Sequence, residues 1–90
     1  MIFTLGLFVF QKGEIVVAGI DMEATSKRLD DLRKERNLSM KDIQNHFGFS
    51  TPQAVYKWMY GRTLPCLDNL VILAELYQCK VDDMLVLAYF

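Results

Sequence analysis

The sequence predicts a compact, mainly α-helical domain of five helices preceded by a β-hairpin, and three observations carry that prediction. Residues 38–61 hold two short segments of helical apolar spacing joined by a glycine turn. Residues 25–36, 67–78 and 81–88 carry the same spacing on either side of them. Residues 2–10 and 15–18 are apolar runs rich in strand formers, separated by the polar turn Gln11-Lys12-Gly13-Glu14. Ninety residues suit one domain, and a hydrophobic share of 52% is enough for a small core.

Residues 1–21 read as an apolar N-terminal extension and 22–90 as the helical domain. An isolated two-stranded hairpin is marginal in water, so this one needs cover, from its own helices or from the same hairpin of a second chain. A second reading stands beside that one: translation starts at Met22, or at Val16 or Val17, and the residues before it are an upstream extension. A membrane span needs about 20 apolar residues, and Lys12 with Glu14 interrupts this stretch halfway. Met1-Ile2 lacks the basic residues that open a signal peptide.

The first helix is expected from a cap at Thr25 or Ser26 to about Arg36, burying Leu29 and Leu32, with Asn37 at a left-handed exit. Ser39 and Asp42 have the spacing of a capping box, so a second helix starts at Met40. Ile43 and Phe47 face inward on it, and Lys41, Asp42, Gln44 and Asn45 face elsewhere. Gly48 ends it in the left-handed conformation. Ser50 is a second cap, Pro52 suits a first helical turn, and the third helix spans 51–60 before Gly61. Val55 and Trp58 form its buried stripe, which leaves Thr51, Gln53, Tyr56 and Lys57 outward. A fourth helix, 67–78, turns Leu70, Leu73, Ala74 and Tyr77 inward and leaves Val71, Ile72 and Leu76 as surplus, to cover the hairpin or to form a dimer patch. A fifth, 81–88, places Asp82 and Asp83 in its first turn, where the macrodipole favours acids. The apolar end of the chain is expected to dock.

Helix, glycine turn, helix, with hydrogen-bonding side chains on the outer face of the second, is the geometry that fits a DNA major groove. The ordered set Leu32-Arg33, Leu38-Ser39, Ile43, Gly48, Ser50, Val55, Trp58, Gly61, Leu64-Pro65 and Asp68-Asn69-Leu70, spread over residues 28–85, resembles the lambda-repressor-like (Cro/C1, XRE type) helix-turn-helix family. The resemblance implies double-stranded DNA as partner and a motif at about 39–60. Several positions depart from the family pattern. One extra residue lies between Gly48 and Trp58, Pro52 stands where a base reader often sits, and Met40 replaces a common phosphate-binding Gln. Met59 replaces the acid that often pairs with the arginine of the first helix, which leaves Arg33 free for phosphate.

Gln53 can donate to and accept from the N6/N7 edge of adenine. Thr51, Tyr56 and Lys57 complete the base-reading candidates. Ser39, Lys41, Asn45, Ser50, Arg33 and Arg62 are the phosphate candidates. A net charge of −1 argues against non-specific coating of nucleic acid, yet Lys57 and Arg62 are the only charges between Val55 and Leu67.

Cys66 and Cys79 are too few for a disulfide framework, which points to a reducing cytoplasm. With His46 alone beside them they do not make a zinc set, and no metal, cofactor or small-molecule ligand is expected. The chain shows no glycine-rich phosphate loop and no nucleophile with a neighbouring base, so an enzyme is not expected. The function expected is a sequence-specific transcriptional regulator of bacterial or phage type, a repressor acting as a homodimer through residues 1–20 or the C-terminal helices. The alternative is a protein-interaction module on the same fold, of antitoxin or anti-repressor type.

Overall fold

The computed structural model describes residues 18–89. In order they form β1 (Ala18–Ile20), α1 (Met22–Glu35), α2 (Met40–Phe47), α3 (Gln53–Met59), α4 (Leu67–Tyr77), α5 (Val81–Met84) and β2 (Leu87–Tyr89). The mainly helical, five-helix expectation is met. Leu29, Ile43, Val55, Leu73, Tyr77 and Met84 are completely buried and form the centre of one core to which every helix contributes. Tyr77 brings its hydroxyl into that core and donates it to the Leu29 carbonyl at 3.0 Å. Burial pushes the Tyr77 hydroxyl well above its ordinary pKa, so it stays a neutral donor.

Three boundaries differ from expectation. First, α1 begins at Met22, because Asp21 accepts from the Ala24 amide at 3.0 Å and caps it. Thr25 and Ser26 are therefore helix-interior residues, both buried. Second, α5 stops at Met84, where Leu85 turns extended with φ −99 and ψ 139. The residues beyond form β2, which pairs antiparallel with β1 in the register Ala18 to Tyr89, Gly19 to Ala88 and Ile20 to Leu87. Third, α3 is shorter than 51–60, for reasons that belong with the site.

The two-stranded sheet thus joins the two ends of the described chain, and the expected docking of the apolar C-terminal segment is found in it. Residues 1–17, which include the first strand of the expected hairpin, lie outside the described residues. Thr25 fastens the sheet to α1: its hydroxyl accepts from the Val86 amide at 3.0 Å and donates to the Val86 carbonyl at 3.3 Å. Asp21 adds a backbone bond to the same carbonyl, at 2.8 Å. On the outer side, Leu67, Val71 and Ile72 of α4 stay exposed, as do Leu87 and Tyr89 of β2.

Candidate nucleic-acid interface

The site begins with the way α2 is started and stopped. Ser39 accepts from the Asp42 amide at 2.9 Å, and Asp42 accepts in return from the Ser39 amide at 2.8 Å, so the capping box forms as expected. The Ser39 backbone amide, with its hydroxyl, holds the Asp42 carboxyl below its ordinary pKa. Gly48 then ends the helix at φ 73, a conformation that side-chain-bearing residues adopt only at a cost.

Gln44 locks the turn. It was expected to face away from the core, but it is buried, donating its side-chain Nε2 to the Phe49 carbonyl at 3.1 Å while its backbone carbonyl accepts from the Phe49 amide at 3.1 Å. A buried amide is tolerable only when so satisfied, which is why this polar residue points inward. Phe47 and Phe49 stack at 5.2 Å, and both meet Trp58 edge-on, at 5.3 and 5.9 Å. Three rings from α2, the turn and α3 therefore hold the two helices together.

α3 itself starts at Gln53, with Pro52 at its cap position and no side-chain cap bond. The Ser50 cap and the start at Thr51 are corrected accordingly. Residues 50–52 form bends, and the first α3 bond is the Tyr56 amide to the Pro52 carbonyl, at 3.0 Å. At the other end Gly61 at φ 79 turns the chain back, so that the Arg62 and Thr63 amides both reach the Lys57 carbonyl, at 2.9 and 3.3 Å.

Val55, Trp58 and Met59 face inward from α3. Gln53, Tyr56, Lys57 and Tyr60 face outward, and with Arg62 they line a shallow depression of about 210 Å³. Tyr56 and Tyr60 stack in it, with ring centroids 5.8 Å apart and planes 9° from parallel. Among the described residues neither Lys57 nor Arg62 has an ion-pair partner, and no carboxylate lines the depression. A short helix locked on its core side, offering amide, aromatic and cationic groups on the other, is the arrangement that enters a major groove.

A helix-turn-helix family model matches residues 29–84, from the middle of α1 to the end of α5. The chain belongs to the Cro/C1-type helix-turn-helix family. No curated relative and no solved structure matches it significantly. The family is one of DNA-binding regulators. No helix of the described residues is long and apolar enough to cross a membrane. Among the described residues no group of three or more His, Cys, Asp or Glu is placed to hold a metal ion.

Of the residues that the sequence singled out, α3 and the turn after it bring Gln53, Tyr56, Lys57 and Arg62 into one depression. Thr51, Ser50, Lys41 and Asn45 are exposed outside its lining. Ser39 is exposed too, but its amide and hydroxyl are already engaged with Asp42. Arg33 is not free, contrary to expectation. Only 14% of its side chain is exposed; it donates to Asp30 at 2.9 and 3.0 Å and to the Leu38 carbonyl at 2.8 Å. Asp30 replaces the missing partner after the tryptophan. Partial burial raises the Asp30 pKa, but the hydrogen bonds from Arg33 and Lys34 outweigh it and hold the carboxyl below its ordinary value. Tyr60 was missed as a site residue, although its position four after Tyr56 and seven after Gln53 puts it on the same helix face.

Proposed function

We propose that this helix-turn-helix chain is a sequence-specific transcriptional regulator of bacterial or phage type, a cytoplasmic repressor that reads the major groove with α3. The observation that carries the reading is the outward face of α3, where Gln53, Tyr56 and Lys57 lie beside Arg62 with no acid among them. Gln53 reads adenine, Lys57 and Arg62 neutralise phosphates or meet guanine, and Thr51 sits where the chain enters the groove. Lys41, Asn45 and Ser50 are the flanking phosphate contacts, since Ser39 is taken up by its capping box with Asp42. The exposed apolar side chains of α4 and β2 support a homodimer, which would bind two half-sites roughly 34 Å apart.

The test is selection of bound sites from a random duplex pool, followed by titration of the selected site against salt. A palindromic site, with affinity whose logarithm falls linearly with the logarithm of salt, is expected. Gln53→Ala should relax selection at one base pair, a loss of about 1–3 kcal/mol there. Arg62→Ala should weaken all sequences alike. No binding to any duplex at low salt would instead favour the second reading, a protein-interaction module of antitoxin or anti-repressor type. That reading draws on the same exposed apolar residues, Leu67 foremost at 72% exposure.

A further inference from the structure

We infer that the stacked Tyr56–Tyr60 pair is a reader of the thymine C5-methyl group, so that the site bound by α3 contains a thymine whose methyl packs against these rings. The inference rests on the reading of α3 as the groove-entering helix and specifies what its aromatic half recognises. Tyr56 is 40% and Tyr60 69% exposed, which leaves two large rings partly in water. Rings held parallel one helical turn apart form a continuous apolar wall along the axis of α3. Gln53, Lys57 and Arg62 surround that wall, so its occupant carries hydrogen-bonding edges and negative charge as well as an apolar group.

Duplex DNA supplies that combination in one place. The major-groove edges of the four base pairs present nitrogen and oxygen donors and acceptors, and thymine adds the methyl group at C5. A single-stranded ligand would need the faces of the rings, because unpaired bases bind aromatic side chains by stacking on them. Here the facing surfaces of Tyr56 and Tyr60 are already stacked on one another, 5.8 Å between centroids, which leaves no slot for a base between them. Their outer faces remain, and a methyl that projects from the edge of a paired base can pack on such a face while its base stays in the stack. Gln53, three residues before Tyr56 on the same face, reads adenine, so the two together select a step rich in A·T pairs.

The experiment uses the full chain and the duplex selected from the random pool. Each thymine is replaced in turn by deoxyuridine, which lacks only the methyl group. One thymine per half-site should respond with a loss of about fourfold in affinity, the value of one buried methyl-sized group. The thymine-to-uracil ratio should not change with salt, since the methyl is uncharged. Tyr56→Ala should bring that ratio to one, Tyr60→Ala should reduce it, and Tyr56→Phe should preserve it; both rings are exposed, so the variants keep the core intact. Equal binding of deoxyuridine at every thymine overturns the inference while leaving groove reading by α3 in place. A preference for 5-methylcytosine with no thymine sensitive to demethylation overturns it as well. Absence of binding to any duplex removes the inference together with the function it rests on.

Discussion

In the α2–α3 pair the fixing contacts span few residues. Ser39 and Asp42 are three apart, Gln44 and Phe49 five apart, and the aromatic cluster closes within the twelve positions from Phe47 to Trp58. In the seam between β1, β2 and α1 the bonds that matter join residues 61 positions apart, Thr25 with Val86. The family match includes the first region whole, whereas both strands of the second lie outside it. The difference teaches that presentation of α3 is a local property of the chain, while closure of the seam is a separate, long-range addition. Substitutions should therefore separate the two.

The largest effect is expected in the cluster. Trp58→Ala removes the ring that meets both Phe47 and Phe49 and leaves a cavity between α2 and α3. A loss of about 3–5 kcal/mol follows for a truncation of this size, a large part of the stability of a small domain. Urea unfolding followed by far-ultraviolet circular dichroism measures it. A loss below about 1 kcal/mol would mean that the three rings do not hold the helices together.

Next comes the seam. Thr25→Val keeps the shape of the side chain but strips the Val86 amide of its acceptor, at a cost of about 1–3 kcal/mol. Thr25→Ser retains the hydroxyl and should recover most of that. DNA binding per folded molecule should be unchanged in both, because no seam residue lines the α3 depression. An operator affinity that falls in proportion to the lost stability, at temperatures where the variant is fully folded, would show that the two regions are coupled after all.

The same division decides what was legible. The Ser39–Asp42 box, the left-handed Gly48 and Asn37, and the buried pair Val55 and Trp58 could be read because each signal lies within one or two helical turns. Gln44 could not, since its burial depends on a carbonyl that only the folded turn brings to it. Asp21 was passed over because Thr25 and Ser26 offer equally good capping side chains, and only the pairing of Ala18–Ile20 with Leu87–Tyr89 selects between them. That pairing also ends α5 early, and nothing near residue 85 announces it. In the candidate site the outward set Gln53, Tyr56 and Lys57 followed from helical spacing alone. The engagement of Arg33 was open to the same reading, since Asp30 lies three residues before it on the same helix face.

The smallest effect tests the local side of the comparison through its pH dependence. The Asp42 carboxyl is held below its ordinary value of 3.8 in the folded protein by bonds that the unfolded chain lacks. A group depressed in this way stabilises the fold fully above its unfolded pKa, and the contribution drains away as pH falls through its folded pKa. Melting temperature should thus decline below about pH 5, and Asp42→Asn should flatten part of that decline. The flattening is partial because Asp30, depressed by hydrogen bonds from Arg33 and Lys34, contributes with the same sign. Identical slopes for Asp42→Asn and the unaltered chain would show that the box contributes no proton-linked stability. α2 would then be held by its packing against Trp58 and by the Gln44 bonds to Phe49 alone, and the local plan of the helix pair would rest on its turn and not on its cap.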